Sequence, residues 1–235
     1  MSLQQEVRAN HIRPAAELAE RVLLPGDPGR ALAVAQALLD RPPKMFNHAL
    51  GLWGYTGVAP DGEPLTVQAT GMGGPSAAIV CEELIALGAT RLVRIGTCGA
   101  LDPELELGTL IVAESVLPAD GTSAALGADE PLAPDPDLLE RLVAAGARPA
   151  TVASSDLFYD PREAAAGWVE RGALAVEMEA ATILRVADRR GVAAACVLGV
   201  SDVPGSNGAR RMSPEELVAL GVRVGEAGYA ALRSP

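Results

Sequence analysis

Histidine, cysteine and aromatic residues are scarce in this chain. There are two histidines, His11 and His48, and three cysteines, Cys81, Cys98 and Cys196, while aromatic residues make up 3% of the 235 positions. The cysteines are odd in number, widely spaced and without a C-x-x-C pair, which argues against a disulfide scaffold and against a zinc site. With two histidines no metal is expected. No apolar stretch reaches the roughly 20 residues that a membrane span needs, and Met1–Ala9 is polar, without the apolar centre of a secretion signal. Basic residues are also outnumbered, 19 against 30 acidic ones, for a net charge of −11 and a pI near 4.7. Such a chain is not expected to bind a nucleic-acid backbone, and a small anionic substrate would need local basic residues working against the global field. These absences fit a soluble protein of a reducing, cytoplasmic compartment.

What is present is a core. Hydrophobic residues make up 49% and charged residues 21%, and 235 residues suffice for one large domain, so residues 1–235 read as a single domain. Short β-rich runs alternate with Ala/Leu-rich amphipathic ones. Strands are expected at Arg21–Leu24, Leu65–Thr70, Leu92–Gly96, Thr109–Ala113, Ala173–Val176 and Ala194–Val200. Helices are expected at Arg30–Leu39, Pro75–Leu87, Asp135–Ala145, Pro161–Glu170, Ala180–Arg190 and Pro214–Leu232. The alternation points to an α/β fold with a central, mostly parallel sheet covered on both faces. Ligands in such folds bind beyond the carboxyl ends of the strands.

Within that frame, Ala175-Val176-Glu177-Met178-Glu179-Ala180-Ala181 sets two carboxylates into an otherwise apolar run. A folded chain rarely buries acids without a partner. Residues two apart share a strand face but lie far apart around a helix, so at a strand-to-helix junction one carboxylate is expected to face a given site. A buried carboxylate that accepts two hydrogen bonds suits a vicinal diol such as the ribose 2′ and 3′ hydroxyls. The same pattern suits acids placed near a helix N-terminus for its dipole.

Four further segments stand at strand ends. In Leu23-Leu24-Pro25-Gly26-Asp27-Pro28-Gly29-Arg30, Asp27 can cap a helix and Pro28 suits its first position. Arg30 then falls in the first turn, where a cation opposes the dipole unless an anion sits nearby; a capped helix with a solvated arginine is the alternative. In Thr70-Gly71-Met72-Gly73-Gly74-Pro75-Ser76 the glycines let backbone N–H groups approach a ligand, yet Ser76 breaks the dinucleotide pattern and a tight turn fits as well. In Arg91-Leu92-Val93-Arg94-Ile95-Gly96-Thr97-Cys98-Gly99-Ala100, Arg94 lies inside an apolar strand and needs a carboxylate or a bound oxyanion. Thr97 at the strand end, with Gly96 and Gly99 opening a turn, would complete a phosphate cradle; a structural Arg–Glu pair competes. Asp202, after Val197-Leu198-Gly199-Val200-Ser201, ends a buried strand, a place for a carboxyl that protonates a leaving group or for a turn cap.

Together with Ser154-Ser155-Asp156-Leu157-Phe158-Tyr159, these pieces resemble the purine nucleoside phosphorylase and uridine phosphorylase family, most of all its bacterial small-subunit type. The resemblance runs from His11 to the C-terminal helix. It implies a three-layer αβα subunit with a mixed, mostly parallel sheet, and a homohexamer built as a trimer of dimers whose sites are completed by a neighbouring subunit. It implies that Gly26, Arg30, Arg94 and Thr97 hold phosphate. Met72, Met178 and Glu179 would hold ribose, with His11 reaching across from the neighbour to the 5′ hydroxyl. The base would lie against Phe158, Val176 and the Cys98–Gly99 turn, with Glu177 and Ser201 nearby, and Asp202 would protonate the purine at N7. The implied reaction is phosphate-dependent cleavage of the N-glycosidic bond of purine (deoxy)ribonucleosides, with inorganic phosphate as co-substrate and no metal or redox cofactor.

Departures within the family narrow the choice. Uridine enzymes carry a Gln and an Arg four and six residues after the Phe, where this chain has Arg162 and Ala164, and they lack an acid at the place of Asp202. Hydrolytic relatives lack the Pro-Gly-Asp-Pro-x-Arg segment kept here as Pro25 to Arg30. In phosphorylases an arginine lent by the neighbour usually precedes the segment that here begins at Gly51; this chain has Leu50, with Arg41, Lys44 and His48 as candidate substitutes. A helper arginine near the last helix has Arg210 or Arg211 as its counterpart. A uridine phosphorylase, a nucleoside hydrolase and a non-catalytic nucleoside-binding homologue stay open as alternatives.

Overall fold

The computed structural model describes residues 8–159, 164–204 and 210–234. In chain order the elements are β1 (Arg21–Leu24), α1 (Pro28–Leu38), β2 (Lys44–Asn47), β3 (Gly54–Val58), β4 (Pro64–Gln68), α2 (Gly74–Ala86), β5 (Arg91–Ala100), β6 (Leu110–Ala119), α3 (Gly121–Ala125), α4 (Pro136–Ala144), β7 (Arg148–Ser155), α5 (Ala165–Glu170), β8 (Ala173–Glu177), α6 (Ala180–Arg190), β9 (Ala193–Val203), β10 (Arg210–Arg211) and α7 (Pro214–Leu232).

The strands form one ten-stranded mixed sheet in the order β10-β9-β6-β7-β8-β5-β1-β4-β3-β2. β4, β1, β5 and β9 run parallel, while β2, β3 and β10 add antiparallel edges. An extra pairing of β5 with β9 closes β5, β9, β6, β7 and β8 into a ring. Closure gathers several strand ends around one opening, while β10 and β2 remain the edges of the sheet. Helices α1, α4 and α7 share one apolar core with one sheet face, and α2, α3 and α6 pack on the other, which gives the expected three-layer αβα arrangement. Among the described residues no helix is long and apolar enough to cross a membrane.

Local signals set most boundaries. Asp27 caps α1 by accepting from the Gly29 and Arg30 amides, with Pro28 at the first position. Ser213 and Glu216 make a reciprocal capping box for α7. Strand β1 and helices α6 and α7 have the bounds read from the sequence.

Three strands outrun their expected ends. β5 continues to Ala100, β6 to Ala119 and β9 to Val203, because each finds a partner inside the ring. Gly96 and Gly99 therefore lie within β5 rather than in a turn, and Gly99 pairs with both Val176 and Asp202. β2, β3, β7, β10 and the short helix α3 were not expected. β3 reads Gly-Tyr-Thr-Gly-Val, and the room that a Cβ would need at Gly54 is taken by the Gln68 side chain. The expected helix Pro161–Glu170 is observed as α5 from Ala165; residues 160–163, with Arg162, lie outside the described residues.

Candidate active site

A cavity of about 790 Å³ opens at the carboxyl ends of β1, β5, β8 and β9. Its wall contains Gly26, Arg30, Met72, Arg94, Thr97, Cys98, Gly99, Phe158, Val176, Glu177, Met178, Glu179, Ser201 and Asp202. Those are all of the residues that the resemblance assigns to phosphate, ribose, base or proton transfer, except His11. Wall residues that the sequence did not single out include Leu101, Leu157 and Trp168, whose apolar character gave no local signal to separate them from core.

The cavity has a cationic end. Arg94 is 4% exposed. Its Nε donates to Glu177 Oε2 at 2.7 Å and its Nη2 lies 2.5 Å from Glu179 Oε2. Its third nitrogen, Nη1, is buried with no hydrogen-bond partner among the described residues. Burial would lower the Arg94 pKa, but Glu179 and Glu177 outweigh it and hold the guanidinium charged above its ordinary value. Arg30 enters the same space from α1. Desolvation, and then the nearby Arg94, lower its pKa. Two guanidinium groups facing one cavity, one with an idle buried donor, make a place for an anion.

Both carboxylates of the Glu177–Glu179 pair meet Arg94, whereas the spacing predicted that one would. The reason is the bend: Glu177 ends β8 in strand geometry, and Glu179 is the non-helical cap of α6, with φ −139° and ψ −18°. That turn swings the second side chain back onto the face of the first. Glu177 is fully engaged: it accepts from Arg94, from the Ser154 hydroxyl, and from the Glu179 and Ala180 amides at the start of α6. These bonds tie Glu177 to Arg94 and to the start of α6. Glu179 has more to give. It accepts from the Gly73 amide at 2.5 Å, a bond that relies on Gly73 holding φ +87°. Burial raises the Glu179 pKa, Arg94 lowers it and Glu177 raises it again, for a net rise.

The opposite end is acidic and apolar. Asp202 lies so close over Gly99 that a Cβ there would stand 2.9 Å from Oδ1. The Ser201 hydroxyl is 3.1 Å from Asp202 Oδ2 and 3.2 Å from the Cys98 carbonyl, so it can steady the acid. Arg211, paired in backbone register with Asp202, lines the cavity with its guanidinium carbon 5.3 Å from the Phe158 ring centre, a cation–π distance. Phe158 in turn meets Tyr159 edge-on at 5.0 Å. Burial pushes the Cys98 and Cys196 thiols up and Cys81 up to about 12, so none supplies a thiolate near neutral pH. Among the described residues no cluster of His, Cys, Asp and Glu could hold a metal ion.

His11 stands apart from the cavity wall. Glu83, buried on α2, accepts from the His11 and Ile12 amides and lies 2.7 Å from His11 Nδ1, which leaves Nε2 without a partner among the described residues and the side chain 43% exposed. Burial pushes the Glu83 pKa up, but these hydrogen bonds prevail and hold it below its ordinary value. Arg41, Lys44, His48 and Leu50 also lie off the cavity wall.

Comparison with known proteins agrees with this geometry. A family model described as the phosphorylase superfamily matches residues 20–233. The chain is 37% identical over 195 residues to a protein of Geobacillus kaustophilus named purine nucleoside phosphorylase DeoD-type, an alignment covering 79% of this chain and 82% of that protein. It is 36% identical to a guanosine phosphorylase of Halorubrum lacusprofundi, with 77% of each chain covered. Among solved structures it superposes on a uridine phosphorylase of Vibrio fischeri with a TM-score of 0.83 and 26% identity, covering 99% of this chain and 98% of the other.

Proposed function

The chain belongs to the phosphorylase superfamily, and from that premise we propose that it cleaves the N-glycosidic bond of purine (deoxy)ribonucleosides with inorganic phosphate, releasing free base and (deoxy)ribose 1-phosphate. The observation that carries this reading is Arg94, an arginine with one buried nitrogen left without a partner among the described residues, which lines the same cavity as Arg30. A hydrolase would have no use for two desolvated cations beside a carboxylate that suits a sugar diol.

In this reading Gly26, Arg30, Arg94 and Thr97 hold phosphate. Glu179 accepts from the ribose hydroxyls between Met72 and Met178, and the base lies against Phe158, Val176 and the Cys98–Gly99 strand. As the N9–C1′ bond breaks, positive charge grows on the ribose and negative charge on the purine. The phosphate oxygen stabilises the first and forms the new bond to C1′; Asp202, steadied by Ser201, gives its proton to N7 and neutralises the second. No step calls for a metal or a redox cofactor. Glu177 serves as the anchor of Arg94. Leu50 supplies no charge, so phosphate affinity rests on Arg30 and Arg94.

We further propose that the protein is cytoplasmic, folds as a single domain and works as a homohexamer whose sites are shared across a dimer interface. His11 supports the sharing: it lies outside its own cavity yet is held by Glu83 through Nδ1 with its side chain partly exposed. Met72, at 84% exposure on the cavity wall, supports it too.

The test is base release from inosine, guanosine, adenosine and uridine, each with and without phosphate. Purine release that requires phosphate is expected. Release without phosphate would indicate a hydrolase, release from uridine alone a uridine phosphorylase, and nucleoside binding with no release a non-catalytic homologue. Asp202→Asn should slow cleavage of ordinary purine nucleosides by about 10²–10⁴-fold, the range for a general acid. Nucleosides with activated bases that need no N7 protonation should be spared, and equal loss on both would make Asp202 structural.

A further inference from the structure

We propose that Gly221, on α7, is a positioning residue: it seats the stem of Arg30 and so sets the affinity for the anion at the cationic end of the cavity. The inference rests on the phosphate reading given above.

A Cβ added at Gly221 would stand 3.1 Å from Arg30 Cγ, 3.1 Å from Nε and 3.3 Å from Cδ. The Arg30 side chain is therefore laid directly across the backbone of α7 on its way to the cavity. Helix α7 has no slack to move aside. Its Leu220 is packed on Gly199 of β9, where an added Cβ would come within 2.6 Å of the leucine, and a Cβ added at Gly225 or Gly228 would come within 2.8 Å of Val34 or 2.6 Å of Ile95. Arg30 is the yielding partner, since no hydrogen bond or ion pair among the described residues holds its guanidinium. A methyl group at position 221 would be absorbed by a shift of a few tenths of an ångström in Arg30, away from its seat at the cavity wall.

Glycine inside a helix is unfavourable relative to alanine. At Gly225 and Gly228 close packing on apolar core explains its presence. At Gly221 the neighbour is a cation of the cavity.

The experiment is a double-mutant cycle of Gly221→Ala and Arg30→Ala, with phosphate KM, nucleoside KM and kcat measured for each protein. The phosphate-induced rise in Tm is recorded alongside. Gly221→Ala should keep a Tm at or above wild type, because alanine favours the helix. Its phosphate KM should rise about tenfold, the fold-change of one misplaced charge-assisted hydrogen bond, while kcat at saturating phosphate and nucleoside KM stay within about twofold and the phosphate-induced Tm rise shrinks. In the Arg30→Ala background, Gly221→Ala should add nothing. Gly225→Ala, which disturbs the same two helices one turn away from the cavity, should lower Tm and leave phosphate KM alone.

An unchanged phosphate KM in Gly221→Ala would overturn the proposal. So would an equal rise in Gly225→Ala, an effect that persists without Arg30, or a Gly221→Ala protein that fails to fold with and without Arg30, since each would locate the clash elsewhere. Wild-type turnover that ignores phosphate would instead overturn the underlying reading, and is seen before any variant is made.

Discussion

Arg21 and Arg94 lie on adjacent paired strands, β1 and β5, three rungs apart in one ladder, and both are buried, at 7% and 4% exposure. Their surroundings differ. Every nitrogen of Arg21 is used: Nη1 and Nη2 donate to Asp61 at 2.5 and 3.1 Å, Nε donates to the Pro64 carbonyl, and the Glu63 and Leu232 carbonyls take the rest. Arg94 gives two nitrogens to Glu177 and Glu179 and keeps the third idle. The first arginine is a closed structural knot that ties the β3–β4 turn and the end of α7 to β1. The second is fixed in place and still has a donor to offer. Burial of a guanidinium does not mark a site; an unspent donor beside a cavity does.

Removing each arginine should separate the two roles. The largest effect is expected from Arg21→Ala, which leaves Asp61 buried and unpaired and should cost about 3–5 kcal/mol of stability in denaturant unfolding. The folded fraction should keep its phosphate KM; a changed KM would give Arg21 a functional role and break the contrast. Arg94→Lys keeps one charge but cannot serve two carboxylates and an anion together. Phosphate KM should rise about 10–100-fold, matching a charge-assisted hydrogen bond of roughly 1.5–3 kcal/mol, with a smaller loss of stability than Arg21→Ala. An unchanged phosphate KM would remove Arg94 from the site.

The smallest effect sharpens the structural side. The Arg21 hydrogen bond holds the Asp61 carboxyl well below its ordinary 3.8, although burial opposes it. A depressed carboxylate stabilises the fold above its ordinary pKa, and that contribution is lost as pH falls toward the folded value. Wild-type Tm should therefore decline below about pH 4. Asp61→Asn should start lower and decline less; an identical acid-side slope would mean the knot is not the titrating element.

Seen from the sequence, the two arginines look alike, each a cation in an apolar strand, and only Arg94 was singled out. Asp61 lies 40 residues from Arg21 and Leu232 lies 211 away, so no local spacing announces the closed knot. The α/β alternation, the Asp27–Pro28 cap, the strand-to-helix junction at Glu177 and every cavity residue that shares a motif were legible, because each is written in a contiguous segment. The ring was not. Its closure depends on extending β5, β6 and β9 through small residues such as Gly99, Ala100 and Ala119, which carry little strand signal and pair only with distant partners. The apolar wall of Leu101 and Trp168 and the Glu83 anchor of His11 were hidden for the same reason, being contacts between elements.

The central claim is that the cationic end of the cavity, with Arg94 and Arg30, holds the phosphate that attacks the sugar, so that cleavage consumes phosphate. The most direct measurement is phosphorus NMR of the protein with inosine and inorganic phosphate, followed as hypoxanthine is released. The account predicts a ribose 1-phosphate resonance that grows in step with the base while inorganic phosphate falls by the same amount. Hypoxanthine appearing with free ribose and an undiminished phosphate signal would contradict it.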